Sequence, residues 1–184
     1  VTKYAVDEVE TNIVVDEPKP SQLALYRQML TGFRAARTGT VILCEHDVLY
    51  PASHFGLLTK RIHSFSEAVH YNANIWHLCE SGYFRVDASA TFNSAMGGTR
   101  DHIIRAYEAK LAEAKTSPNQ TAAWSEPRSE DWPVMHHHLP DPVVDLRWGG
   151  NWTGQRKAQA DNMIFEELAP WGPATRYCKL FQIN

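Results

Sequence analysis

The segment Thr40-Val41-Ile42-Leu43-Cys44-Glu45-His46-Asp47-Val48-Leu49-Tyr50-Pro51 is the most informative part of the sequence, because an apolar run leads directly into two carboxylates and an imidazole. The run predicts a buried strand, with Glu45-His46-Asp47 at its carboxyl end, where open α/β sheets bind their ligands. One or two carboxylates with substrate phosphates commonly hold a hard divalent cation, so this acidic turn predicts a metal and diphosphate site. The alternative is a surface turn whose acids face water.

The residues before this segment predict a strand and a helix. Residues 12–15 are a short apolar run that ends before Glu17-Pro18-Lys19-Pro20. Residues 21–37 predict a helix that stops at Gly39, and its apolar stripe is Leu23, Tyr26, Leu30 and Phe33. Together with the strand at residues 40–45, this pattern predicts a βαβ unit with neighbouring parallel strands.

The residues after it continue the alternation of strand and helix. Residues 69–78 predict a strand, and residues 82–86 can pair with it as a hairpin. Residues 100–115 predict a second helix, followed at residues 116–131 by a long polar loop of the kind that often covers an active site. The expectation is one α/β domain over residues 1–184, with a mainly parallel sheet and flanking helices.

Composition limits the class of protein. The chain has 184 residues, 43% of them apolar, which suits a single domain with a real core. The formal charge of −3 gives no global field for nucleic acid or anionic membrane, although a local basic patch stays open. Three scattered cysteines and the absence of an apolar run near ~20 residues favour a cytoplasmic protein with no membrane insertion.

Several short blocks, in their order along the chain, resemble a known family. The blocks are LYRQMLTG (25–32), EHDVLYP (45–51), SHF (53–55), YNANIW (71–76), DLR (145–147) and NWT (151–153). They resemble the nucleotide-sugar glycosyltransferases of the GT-A fold, particularly a family 2-like bacterial and phage group. The resemblance covers roughly residues 12–156 and implies a GT-A-like fold, a nucleotide-sugar donor, and a glycan or other hydroxyl acceptor. A modified nucleic-acid base stays open as an acceptor.

The resemblance implies roles for residues of the acidic turn. Glu45-His46-Asp47 stands where such enzymes carry a DxD-type motif, so Asp47 becomes the expected ligand of Mn²⁺ or Mg²⁺. Glu45 replaces the first Asp of that motif and would contact the donor ribose or sugar. Gly97 and Gly98 lie in a small-residue segment, residues 94–100, that resembles the lining of the donor-sugar and acceptor pocket.

The resemblance also implies a catalytic base. Glu130-Asp131 falls where inverting members have an acidic pair, and an acceptor hydroxyl needs a carboxylate to remove its proton as it attacks the anomeric carbon. The alternative is that both acids belong to a solvated loop.

Two positions depart from the family pattern. Related sequences often carry His where this chain has Trp148. The histidines at 136–138 are the nearest replacement ligands, and we expect His138 to be the one that binds the metal. The alternative is a buried, hydrogen-bonded imidazole. The family also begins with a strand and helix that hold the nucleotide base, and residues 1–11 can supply only a short strand. We therefore expect the first βα unit to be missing or carried elsewhere.

Basic and aromatic residues near the end complete the expected donor site. The guanidinium groups of Arg147 and Arg156 match phosphate oxygens, and Trp152 can stack on a sugar or base. Core packing is the alternative for the tryptophan.

Three functions follow from the sequence. The leading one is a metal-dependent glycosyltransferase that uses a nucleotide diphosphate-sugar. The second is a catalytically inactive GT-A-like module that binds a glycan or a base. The third is a metal hydrolase that uses His136–His138 with Asp141 or Asp145, since alternate side chains of a strand share a face.

Overall fold

The computed structural model describes residues 22–86, 92–116, 132–147 and 163–181, together with Ile13 and Ile183. This part of the chain forms a mixed α/β structure. Its α-helices are α1 (Gln22–Ala35), α2 (Ala52–Ser64), α3 (Arg100–Thr116) and α4 (Ala174–Phe181). No helix in these ranges is both long and apolar enough to span a membrane.

Ten strands are described, in two four-stranded sheets and one two-stranded ribbon. The first sheet contains β1 (Thr40–Ile42), β3 (Val69–Asn72), β6 (Met96–Thr99) and β7 (Val134–His137). The second contains β2 (Val48–Leu49), β4 (Ile75–Cys79), β5 (Gly82–Arg85) and β8 (Val143–Leu146). The ribbon pairs β9 (Glu167–Leu168) with β10 (Gly172–Pro173).

The first sheet has the order β1-β6-β3-β7. Strand β6 runs antiparallel to both β1 and β3, whereas β3 and β7 are parallel. The carboxyl ends of β1, β3 and β7 therefore meet at one edge of the sheet, beside the amino end of β6. We call this edge the upper edge. It is where the chain enters the acidic turn.

The prediction of a mainly parallel sheet is wrong for the described strands. In each four-stranded sheet, two of the three pairings are antiparallel. In the first sheet the cause is β6, which lies between β1 and β3 and runs against them. In the second sheet, β2 and the tight β4–β5 hairpin supply the antiparallel partners, and hairpin connections permit only that pairing.

Helices cover both faces of the first sheet. Val41 packs in one core with residues of α1 and α3, while its neighbour Ile42 packs with Leu58 and Ile62 of α2. The period-2 alternation of side chains along a strand explains this division. A smaller core joins the second sheet to α4.

Close packing at β6 requires glycine. A Cβ atom on Gly97 would lie 2.9 Å from the carbonyl oxygen of Val41 and 3.0 Å from Cδ1 of Ile62. A Cβ atom on Gly98, on the opposite face, would lie 2.9 Å from the side chain of Ile103. The missing side chains let α2 and α3 approach the sheet.

The structure confirms three predicted elements and corrects others. The helices predicted at residues 21–37 and 100–115 are α1 and α3, and the predicted hairpin is β4–β5. The single strand predicted at residues 69–78 is two strands in different sheets. Helix α2 was not predicted, and Pro51 occupies its N-cap position. The strand predicted at residues 12–15 lies outside the described residues, except for Ile13.

Candidate functional site

The acidic turn lies at the upper edge of the first sheet, beyond the carboxyl end of β1. Strand β1 ends at Ile42, and Glu45 and His46 are exposed while Asp47 is half-buried. The ends of the neighbouring strands place Asn72 and His137 at the same edge, where they are paired in register. The turn follows the end of a strand as predicted, but the strand predicted at residues 40–45 ends at Ile42, so Leu43 and Cys44 separate it from Glu45.

Tyr50 connects the acidic turn to the segment that precedes β6. Its hydroxyl accepts a hydrogen bond from the backbone N–H of Glu45 at 2.9 Å and donates one to the carbonyl oxygen of Ser94 at 2.7 Å. Burial raises the pKa of Tyr50, and the carboxylates of Glu45 and Asp47 raise it further. The phenol therefore stays protonated and keeps its role as donor. The structure thus brings together two segments that the sequence assigned to one donor site.

The second sheet holds the other side of the turn. The backbone N–H of Leu146 donates to the carbonyl oxygen of Asp47 at 2.9 Å, and Val48 is paired with Asp145. Asp47 is therefore fixed between the two sheets by its own backbone. This contact also brings the DLR block next to the acidic turn.

Arg147 is buried within that block. Its side chain forms an ion pair with Asp145, and both side chains are less than a tenth exposed. His77 lies beside them, with Nε2 3.6 Å from the Asp145 carboxylate and 3.3 Å from the Arg147 guanidinium. In this structure the guanidinium of Arg147 pairs with a carboxylate of the protein itself, whereas the sequence predicts that it binds the phosphates of the donor. His77 is not among the site residues predicted from the sequence.

The histidines at 136–138 lie on or next to β7 at the upper edge. His136 stacks on the buried ring of Tyr71, whereas His137 forms a hydrogen bond with the buried His70. His70 Nε2 lies 2.8 Å from the carbonyl oxygen of Phe65 and must donate to it, so His70 Nδ1 is an acceptor. It accepts from Nε2 of His137 at 2.9 Å. Burial and the neighbouring His70 lower the pKa of His137 to about 4, so this pair is neutral near pH 7. The alternative of a hydrogen-bonded imidazole applies to His137.

His138 is exposed and lies next to a cation. Its Nδ1 is 3.4 Å from the guanidinium of Arg85, which can donate to it. The charge of Arg85 opposes a second cation at this ring. Its predicted role as metal ligand stays a prediction.

His54 is fully buried behind the acidic turn, with its ring 5.4 Å from that of Tyr50. Asn72 accepts from the backbone N–H of Asn74 through Oδ1, so its amide nitrogen donates to His54 Nδ1 at 3.3 Å. The proton of the neutral ring is therefore on Nε2, which has no hydrogen-bond partner in the described part of the chain. Burial lowers the pKa of His54 to about 4.

The described residues do not assemble a complete protein cage for a metal. Within residues 22–86, 92–116, 132–147 and 163–181, no three His, Cys, Asp or Glu side chains come together to hold an ion. Asp141, an alternative ligand, accepts a hydrogen bond from the Ser53 hydroxyl at 2.5 Å. A single carboxylate such as Asp47 fits the mode in which substrate phosphates and water supply the remaining ligands of Mg²⁺.

Of the other predicted donor residues, Gly97 and Gly98 are buried, and their described contacts are the packing contacts given above. Four predicted site residues lie outside the described residues: Glu130, Asp131, Trp152 and Arg156. Comparison with protein-family models, with curated proteins and with solved structures gives no match for this chain.

Proposed function

We propose that the chain is a metal-dependent glycosyltransferase that moves a sugar from a nucleotide diphosphate donor to a hydroxyl acceptor. The observation that carries the proposal is the location of Glu45-His46-Asp47 at the upper edge, fixed to Ser94 through Tyr50 and to β8 through Leu146. A rigid acidic turn at strand ends is a suitable place to receive a charged phosphate ligand with its cation.

Each residue of the turn has a distinct proposed task. Asp47 would hold Mn²⁺ or Mg²⁺, and when bound the ion neutralises charge on the diphosphate leaving group. The exposed Glu45 would contact the donor ribose or sugar. His138 would add a second ligand if the Arg85 guanidinium turns away from it. Tyr50 keeps the turn in register with the β6 segment and does not itself contact the donor.

The proton of the acceptor hydroxyl needs a base. Glu130 or Asp131 keeps this role in the proposal, and attack on the anomeric carbon would then proceed as the carboxylate takes the proton. Both residues lie outside the described residues, so the proposal for them is based on the sequence resemblance alone.

A binding module without catalysis is the second candidate. Two observations favour it: no three-ligand metal group among the described residues, and the ion pair that occupies Arg147. The hydrolase alternative has less support, because both of its carboxylates already have other partners: Asp141 accepts a hydrogen bond from Ser53, and Asp145 pairs with Arg147.

The experiment is a thermal-stability panel of nucleoside diphosphates and their sugar conjugates, with and without Mn²⁺. A ligand that binds only the folded state raises the melting temperature, by an amount set by its concentration relative to Kd. A rise that requires both nucleotide and Mn²⁺ supports the transferase. A rise without metal supports the binding module, and a rise with Zn²⁺ alone, added to the panel as a further condition, supports the third alternative. No shift with any compound, on folded protein, contradicts nucleotide binding.

A further inference from the structure

A second cleft lies at the edge of the first sheet opposite to the acidic turn. The pairing of Thr40 with Thr99 marks this lower edge, where β1 begins and β6 ends. The cleft has a volume of about 420 Å³, a size suited to a small ligand. The charged and titratable side chains that line it are Arg37, Glu67, Arg100, Asp101, His102 and Arg105.

The charge of this lower cleft favours an anion. Three arginines line it against two carboxylates. Asp101 accepts from Nε of Arg100 at 3.2 Å, whereas Glu67 stays 3.7 Å from Arg105, beyond hydrogen-bond distance. Arg100 also donates to the carbonyl oxygen of Ala36 at 3.1 Å, which fixes its guanidinium at the end of α1. The cleft thus presents guanidinium groups that its own carboxylates do not fully occupy.

His102 supplies an independent indication of a ligand. Its side chain is only 5% exposed, and neither ring nitrogen has a hydrogen-bond partner within the described residues. The nearest carboxylate oxygen, on Glu67, is 3.8 Å from Nδ1, and the ring otherwise meets the edge of Trp132. A buried polar group without a partner is costly, so a ligand that accepts from this imidazole would remove an existing penalty.

The start of α3 adds a third contribution. His102 lies in the first turn of this 17-residue helix, where backbone N–H groups lack partners within the helix and the dipole favours negative charge. The N–H of Arg100 already donates to the carbonyl oxygen of Gly39 at 2.8 Å, which holds the helix start against the strand. Helix starts of this kind bind phosphate.

We propose that the lower cleft binds a phosphate group, either inorganic phosphate or the phosphate of a small sugar phosphate. Arg105 and His102 would donate to its oxygens, and Arg37 would add charge at the rim. The site is separate from the proposed donor site, because the two lie at opposite edges of the same sheet.

The test is calorimetric titration with inorganic phosphate and with ribose 5-phosphate, at constant ionic strength and with a chelator present. Without divalent metal, the proposed donor site at Asp47 should contribute nothing. The variants are Arg105→Gln and His102→Gln, with Arg34→Gln as the matched control. Like Arg105, Arg34 is an exposed helix arginine near a glutamate.

We expect each pocket variant to weaken phosphate binding by about tenfold or more, the effect of one charge-assisted hydrogen bond, while Arg34→Gln binds as the wild type. Whichever of the two compounds binds more tightly identifies the source of the phosphate. Because His102 is buried, its variant is checked for folding, and the exposed Arg105 keeps the test valid if that variant unfolds. Absence of phosphate binding, or equal weakening by Arg34→Gln, overturns the proposal.

Discussion

The hydroxyl of Tyr50 donates a hydrogen bond to the carbonyl oxygen of Ser94 at 2.7 Å, across 44 positions of sequence. The same hydroxyl accepts from the N–H of Glu45, so one phenol group joins the acidic turn to the segment before β6. Both segments belong to the donor site that the sequence predicts. Their relative position therefore depends on a side chain that carries no charge near neutral pH.

Replacing Tyr50 with Phe should destabilise the protein by about 1–3 kcal/mol, because the Glu45 N–H and the Ser94 carbonyl both lose their partner. The free energy of unfolding is measured by urea denaturation. Tyr177→Phe, at a half-buried tyrosine on α4, is the control and should change it much less. Equal effects of the two variants would contradict the role assigned to Tyr50.

Replacing Arg147 with Met should lower the free energy of unfolding, measured by urea denaturation, by about 3–5 kcal/mol, because it leaves the Asp145 carboxylate buried without the guanidinium. Arg34→Met is the control, since Arg34 pairs with Glu108 at the surface, where such pairs contribute about 0–1 kcal/mol. Adding Asp145→Asn to Arg147→Met should recover part of the loss, as a double-mutant cycle measures. If Arg147→Met lowered the free energy of unfolding as little as the control does, the ion pair with Asp145 would not stabilise the fold.

Stability should fall as the pH decreases from about 6.5 to about 4, in part through His54. Burial lowers the pKa of His54 from 6.5 to about 4. Between these two pH values the imidazole is protonated in the unfolded state and neutral in the folded state, so each decrease in pH favours unfolding. The free energy of unfolding therefore has its full value with respect to His54 above pH 6.5 and decreases by about 2–3 kcal/mol as the pH falls to 4.

The measurement for this prediction is the free energy of unfolding as a function of pH, compared between wild type and His54→Gln. Carboxylates also titrate in the window, so the difference between the two curves isolates His54. The variant should have the shallower slope, while Phe55→Leu, at the next position of α2, should keep the slope of the wild type. Parallel curves for wild type and His54→Gln would show that His54 does not carry this dependence.

Gly97→Ala should destabilise by about 1–3 kcal/mol, because the new Cβ would press on the carbonyl oxygen of Val41, which is backbone and cannot rotate away. Gly56→Ala is the control. Gly56 lies on an exposed part of α2 with nothing within 4 Å of the added Cβ, so this change should stabilise by about 0.5–1 kcal/mol. Thermal unfolding of both variants gives the comparison. If Gly97→Ala left the melting temperature unchanged, the sheet would have to adjust at β6 to accommodate the added Cβ atom.

Local patterns were enough to predict α1, α3 and the β4–β5 hairpin, because a periodic apolar stripe or a tight turn specifies each of them. At the break between β3 and β4, Asn72 Oδ1 accepts from the N–H of Asn74, a side-chain to backbone bond of the kind that competes with strand pairing. Helix α2 had a readable signal in the spacing of its buried His54, Leu58 and Ile62, which share one helix face.

The candidate site was predictable only in part. The acidic turn follows a strand end as expected, since strand and turn are adjacent in sequence. The antiparallel direction of β6, the Tyr50 bridge and the burial of Arg147 depend on contacts between distant segments, which spacing along the chain does not encode. From its charge alone, Arg147 was predicted to bind phosphate, but in the folded protein it forms an ion pair with Asp145.

The most direct test of the proposed function is calorimetric binding of UDP, GDP and ADP in the presence of Mn²⁺, comparing wild type with Asp47→Asn. Glu108→Gln is the control, because it removes an exposed carboxylate from α3. We expect metal-dependent binding of one nucleotide by the wild type and the control, and an affinity lower by about 10–100-fold in Asp47→Asn. Equal affinity in Asp47→Asn and the wild type would contradict a metal site at the acidic turn.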